Sequence, residues 1–157
     1  MHCDRHVVKM VLESAQLLST ALHARDAPTA HLLNRQGLCY RPTHQHHPCA
    51  LWAIHSRGNH GWLGRLALAL CREYRYRYNK EHASEKVIRA LIAAAPSTAA
   101  SAALWPGLRR TPFVQAMPAQ YRGDDPVAAY RRYYNSEKAP ICKWTRRQAP
   151  QWFIPAG

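Results

Sequence analysis

Between Asp4 and Ala24 apolar residues return every three or four positions. Turned at about 100° per residue, Val7, Val8, Val11, Ala15, Leu18 and Leu22 fall on one face; Met10 and Leu17 widen it, and Leu12 lies outside its centre. This is the stripe of an amphipathic helix, and it has to be buried against other elements. Asp26-Ala27-Pro28 is expected to end it, and residues 27–47 read as an irregular connection rich in His and Arg. Helical pattern resumes from Pro48 to about Tyr78. Gly58, Gly61 and Gly64 weaken its middle, so a break is expected near Arg57-Gly58-Asn59. Trp62, Leu63, Leu66, Leu70 and Tyr74 supply the apolar seam of the later piece.

A third helix is predicted to start at the N-cap residue Ser84, followed by acidic Glu85, and to stop before Pro96. Residues 96–123 hold four prolines and two glycines and read as ordered loop. Asp124-Asp125-Pro126 then signals a helix carrying Val127, Tyr130, Tyr133 and Tyr134 to about Lys138. Repeats and convincing strands are absent from the pattern. The expected fold is all-α, a compact single-domain helical bundle over residues 1–157 with long ordered loops.

Composition narrows the partners. Hydrophobic residues make up 47% of the 157, enough for a core, while 22 Lys and Arg against 9 acids give a formal charge of +13. That surplus opposes compaction and attracts phosphate-rich partners. No apolar run of about 18 residues exists, so no helix is expected to span a bilayer, and no membrane is expected as a partner. Met1-His2-Cys3-Asp4 lacks the charged-then-apolar order of a secretory signal. Five scattered cysteines (Cys3, Cys39, Cys49, Cys71, Cys142) fit reduced thiols in a cytoplasmic protein better than a disulfide framework.

Three features could carry chemistry. On the polar side of the first helix, His2, His6, Lys9, Glu13, Gln16 and Thr20 cluster within roughly 80°. An ordinary solvated face would hold such residues, but two imidazoles, an amine and a carboxylate are versatile proton-transfer groups. Lys9 and Glu13 stand at i,i+4 in the less favourable order for a structural pair. Glu13 could act as general base or stabilise a cation, and a partly desolvated Lys9 could act as a nucleophile. Second, Thr43-His44-Gln45-His46-His47-Pro48-Cys49 lies near enough to helical signals for His47-Pro48 to form a helix-entry turn, with an imidazole bonded to backbone or lining a cleft. Cys3, His6, His47 and Cys49 would suffice for tetrahedral zinc, but their spacing matches no standard zinc module, and no cofactor is expected. Third, basic and aromatic residues interleave: Arg72 and Arg75 in Arg72-Glu73-Tyr74-Arg75-Tyr76-Arg77-Tyr78, then Arg109-Arg110, Arg131-Arg132-Tyr133-Tyr134, and Lys143-Trp144-Thr145-Arg146-Arg147. Guanidinium groups contact phosphates and exposed rings can stack on bases. With only two Phe, some Tyr and Trp must pack the core instead.

The runs HCDRHVVKMVLESAQLLSTA, THQHHPCALWA, EYRYRY, PFVQAMP, AYRRYY and KWTRRQAPQWF, in this order, resemble a group of uncharacterised bacteriophage proteins over nearly the whole chain. More distantly, residues 4–80 resemble the phage endonuclease V family, small basic helical pyrimidine-dimer DNA glycosylases with abasic-site lyase activity. That family's first helix carries an Asp-x-His pair and then a catalytic Glu, matched here by Asp4, His6 and Glu13. The His-Pro turn before an aromatic-rich helix ending in Arg-Tyr is similar too. In the family the nucleophile is the N-terminal α-amine, presented by a stretch ahead of the first helix. Here only Met1, His2 and Cys3 precede it, and bulky His2 would leave Met1 in place. The resemblance then implies an amine lost, a start further upstream, or replacement by Lys9, one turn before Glu13.

The leading expectation is therefore a phage-type DNA-processing protein of glycosylase/lyase kind, acting on damaged or modified pyrimidines in duplex or locally opened DNA. Two alternatives stand beside it. One is a group-transfer enzyme on hypermodified thymine in DNA, served by His6, Lys9 and Glu13; the other is a non-catalytic nucleic-acid-binding protein.

Overall fold

The first amphipathic stripe becomes the axis of the molecule. In the computed structural model, which describes residues 1–94 and 103–154, helix α1 (Asp4–Arg25) buries Val7, Val11, Ala15, Leu18 and Leu22. It packs against all four helices that follow it. Those are α2 (Ala27–Arg35), α3 (Pro48–His55), α4 (Arg57–Tyr78) and α5 (Glu85–Ala93). A sixth helix, α6 (Pro126–Tyr133), continues through a single π turn at Tyr134–Lys138 and a 3-10 turn at Ala139–Ile141. The described residues are 62% helical and hold no strand, so the all-α expectation stands.

One element departs from the sequence pattern. Residues 27–35, expected as irregular chain, form α2. Asp26 ends α1 but its carboxylate also accepts the Thr29 N–H at 3.2 Å, capping the next helix. Pro28 sits in the first turn, where the missing N–H would have been unpaired anyway. Only residues 36–47 are irregular, with turns at Gly37 and His44 in left-handed backbone conformation. The expected loop from 96 is seen from residue 103 onward, residues 96–102 lying outside the described set.

The expected break in the glycine-bearing stretch falls at Ser56, just ahead of the glycines. Extended backbone there separates α3 from α4, and Ser56 Oγ accepts the Asn59 N–H at 3.1 Å. Gly58, Gly61 and Gly64 are inside a continuous α4, and at Gly58 and Gly64 the missing side chain admits a neighbour. A Cβ on Gly58 would lie 2.4 Å from the Arg109 carbonyl carbon, and one on Gly64 3.0 Å from Ile92. Buried Asn59 secures the loop over Gly58. Its Nδ2 donates to the Trp52 carbonyl and Thr111 Oγ1, and its Oδ1 accepts from the Thr111 N–H, each at 2.8 Å. Trp52 donates Nε1–H to the Pro112 carbonyl, meets Trp62 edge to face and lies tilted against Phe113, so part of the aromatic complement is indeed core.

His60, on the first turn of α4, is 3% exposed and lies against the Trp105 ring, 4.5 Å between centroids. Burial pulls its pKa from 6.5 down to about 4. Between those values the unfolded chain binds a proton that the folded chain refuses, so stability is complete above pH 6.5 and is lost as the pH falls toward 4. Urea titrations across this window should show a loss on the order of 3 kcal/mol attributable to His60. The His60→Gln protein should show a correspondingly flatter profile.

Candidate functional site

The polar ridge of α1 divides into two environments. At its start, His2 and His6 are partly buried, their rings 6.5 Å apart. His6 Nδ1 is hydrogen-bonded to the Tyr134 hydroxyl, and the two rings meet edge to face. Burial, then the adjacent N-terminal amine, His6 and Arg77, push His2 down to about 4. Burial, then Lys138 and Lys9, lower His6, with Glu13 opposing. Both imidazoles are therefore neutral near pH 7. Behind them, burial and then Cys3 push the Cys142 thiol up to about 12, and burial with the two thiols raises the Tyr134 phenol. Such groups are held protonated and unreactive.

One turn on, Lys9 Nζ lies 3.1 Å from Glu13 Oε1, with side-chain exposures of 66% and 37%. This is an open flank. Glu13 is close enough to α3 that, after burial, it helps raise the Cys49 thiol. His47 stands exposed at the start of α3, where its Nδ1 accepts the Cys49 N–H at 3.2 Å and serves as N-cap. The structure thus brings Glu13 to Lys9 and near Cys49, places His6 against Tyr134, and commits a ring nitrogen of His47 to the backbone. The zinc alternative is corrected: Cys3, His6, His47 and Cys49 do not assemble, and the described residues hold no cluster of three His, Cys, Asp or Glu fit for a metal. Cys3 points inward beneath Tyr134, whereas His47 faces solvent.

Asp4 has a different occupation. Its carboxylate takes Arg77 Nη1 at 2.7 Å, the Thr145 N–H at 2.9 Å and Thr145 Oγ1 at 2.9 Å. Burial disfavours its charge, but the bonds from Thr145 and Arg77 outweigh that and hold its pKa below the usual range. Arg77 is fully buried. It also donates to Glu73 Oε1 at 2.8 Å and to the His2 carbonyl at 3.1 Å. Glu73 then receives both Nε and Nη2 of Arg147, each at 3.0 Å, and Arg147 lies over the Tyr76 ring at 4.0 Å. With the Asp4 N–H donating to the Lys143 carbonyl at 2.8 Å, residues 143–147 form a strap joining the start of α1 to the end of α4.

This network sorts the expected phosphate contacts. Arg147 is occupied by Glu73, and Arg75 by Glu81 and Glu85 at 2.7 and 3.0 Å. Trp144 packs on Phe153 with its Nε1 buried, so it is part of the packing and not a stacking platform. Arg72, Arg109, Arg110, Arg131, Arg132, Lys143 and Arg146 are exposed, and among the described residues none pairs with a carboxylate. Four of them lie at the two ends of α4. Lys143 and Arg146 ride the strap at the C-terminal end of α4, where Arg146 Nη1 donates to the Tyr76 carbonyl. Arg109 and Arg110 lie on the loop over its N-terminal end. From Arg57 to Arg77 the helix rises roughly 30 Å.

Two surface clefts are also present. One, of about 370 Å³, is lined by His23, His31, Asn34, Arg35, Arg41 and Pro42. The other, of about 290 Å³, lies at the start of α4 among Arg57, His60, Gly61, Arg65, Leu108 and Arg110. Neither includes His6, Lys9, Glu13 or His47. Sequence reasoning missed the second cleft because it placed the helix break at its site. The signal was the four-residue spacing of Arg57, Gly61 and Arg65, which puts them on one face only if α4 is continuous. Compared with family models, with curated proteins and with solved structures, the chain matches none.

Arg77→Met would leave Asp4 and Glu73 facing a buried gap without their cation. It should destabilise the fold by about 3–5 kcal/mol in urea unfolding. Residues 143–154 should then become accessible to proteolysis ahead of the rest of the chain. Arg77→Lys should recover only part of the loss, because one ammonium cannot reach Asp4, Glu73 and the His2 carbonyl together.

Proposed function

We propose that the protein binds DNA through the phosphate backbone, using the cationic patches at the two ends of α4. One observation carries this. Of 22 basic side chains, only Lys9, Arg75, Arg77, Arg89 and Arg147 pair with Asp or Glu among the described residues. The remaining acids are scarce and partly engaged: Asp26 and Asp125 cap helices, and Glu137 accepts the Tyr121 hydroxyl. The surplus charge therefore faces solvent, where self-repulsion works against the fold unless a polyanion relieves it. Patches roughly 30 Å apart match about nine base pairs of B-form duplex at 3.4 Å per step. A backbone-directed mode also fits the shortage of free rings. Tyr76 lies under Arg147 and Trp144 is packed, so phosphate contact outweighs base stacking.

Binding to a labelled duplex, followed by fluorescence anisotropy, should weaken steeply with salt. A log–log slope of about −4 corresponds to four or five phosphates. The pair Arg109→Gln, Arg110→Gln and the pair Lys143→Gln, Arg146→Gln should each make the slope shallower by about 2 without changing the fold. Glu13→Gln should leave affinity unchanged or slightly higher. A salt-independent affinity would dispose of the proposal.

Amine chemistry on the bound DNA is favoured by a separate observation, the 3.1 Å approach of Lys9 Nζ to Glu13 on an open flank that a duplex can reach. Glu13 would accept a proton from the Lys9 ammonium. The amine would add to C1′ of a ring-opened abasic sugar, and loss of water would leave an imine on Lys9. Borohydride with abasic-site DNA should then trap a covalent adduct that Lys9→Gln abolishes and Glu13→Gln slows by at least tenfold. Failure to trap an adduct, with DNA binding intact, leaves a binding protein alone.

A further inference from the structure

The cleft at the start of α4 belongs neither to the ridge of α1 nor to the strap. Its walls carry three guanidinium groups, from Arg57, Arg65 and Arg110, and none of its lining residues is acidic. Among the described residues none of the three pairs with a carboxylate. Arg110 is propped over the Phe113 ring at 4.2 Å and donates Nη1 to the Thr111 carbonyl, leaving the rest of its fork available. Gly61 lines the cleft without a side chain, and a Cβ there would make only ordinary contact with Arg65 Nη1, at 3.6 Å. Ser56 and the 106–107 carbonyls already occupy the first N–H groups of α4, so the helix end contributes field and not vacant donors.

His60 lines the same cleft from within. It is 3% exposed, and its Nε2 is buried with no hydrogen-bond partner among the described residues. A polar ring atom in that position costs free energy unless something pairs with it. Most of the 22-residue helix stretches away behind it, so positive potential from the helix dipole is added to that of the three arginines. An unpaired imidazole nitrogen, three unneutralised guanidiniums and a positive helix end all ask for one compact, multiply charged oxyanion.

We propose that this cleft is a binding site for a phosphate monoester. A monoester is close to a dianion at neutral pH and presents three acceptor oxygens, whereas a diester within a strand carries a single charge. Two or three guanidinium forks can share those oxygens while neutral His60 donates from Nε2. At about 290 Å³ the space suits a phosphate with its sugar and not a longer stretch of strand. The monoester could be the terminal phosphate of a DNA strand or that of a free nucleotide; the recognition chemistry is shared. The first source deepens the DNA-binding proposal and rests on it, but the site itself does not.

Inorganic phosphate is the primary probe, titrated into the full chain by calorimetry in a chloride buffer. Saturable one-to-one binding is expected, together with a shift of the His60 side-chain nitrogen resonance that a merely structural residue would not show. Arg57→Gln, Arg65→Gln and Arg110→Gln should each weaken phosphate binding at least tenfold. Lys80→Gln, just beyond the opposite end of α4, should leave it unchanged. These surface substitutions are chosen in place of His60 because the fold tolerates them more readily. If a duplex bearing a 5′-phosphate binds more tightly than its 5′-hydroxyl twin, and Arg65→Gln erases the difference, the source is a strand end. If a nucleoside monophosphate competes with inorganic phosphate while the two duplexes bind alike, the source is a free nucleotide. If phosphate binds and neither duplex does, the DNA proposal fails and the site stands. Absent or non-saturable phosphate binding, or binding indifferent to the three arginines, overturns the site whatever DNA does.

Discussion

Arg77 is the constraint on which the arrangement depends. A guanidinium with no solvent exposure must have its charge balanced and its donors filled by protein, and Asp4, Glu73 and the His2 carbonyl meet that demand. Each of those partners then does a second job. Asp4 pins Thr145, and Glu73 takes Arg147 in a bidentate pair. Three remote parts of the chain are thereby fixed together: the start of α1, the last turns of α4 and the strap at residues 143–147. The interior charge acts less as a source of net stability than as a register device, because a mispositioned strap would leave a buried cation with unmatched donors.

The same economy sets the surface. Nine acids are few for 22 basic side chains, and five of those acids are drawn into ion pairs around Arg77, Arg75, Arg89 and Lys9. Carboxylates committed there cannot also neutralise Lys143 and Arg146 beside the end of α4, or Arg109 and Arg110 over its start. The positive field is therefore a consequence of how the core region is held together and not an independent decoration. It also explains why the most arginine-dense run, residues 72–77, contributes little to the free surface: Arg75 and Arg77 are both occupied.

Glycine in α4 shows how packing can reverse the usual meaning of a residue. Three glycines in seven positions read as a weak point, yet the helix runs through them unbroken. Gly58 lets the loop at 108–109 rest on the helix backbone, and Gly64 admits Ile92 of α5. The entropic penalty of glycine is offset by contacts that any side chain would prevent. The loop so admitted is what carries Arg110 to the arginines of α4 and creates the cleft over His60.

Residue order by itself determined the all-α class, the extent of α1, the helix starts after Ser84 and Asp125, and the sign of the surface. Each of these follows from neighbours within a few positions or from simple summation of charge. It misread residues 27–35 because Pro28 terminates one helix and begins another equally well, and only the Asp26 carboxylate bonded to Thr29 decides between them. Tertiary structure alone decided which ionisable groups are available. Asp4 and Arg77 are 73 positions apart, and Glu73 and Arg147 are 74 apart. No local pattern encodes such a pairing, since the energy that fixes it exists only when folding has removed water from around the charges.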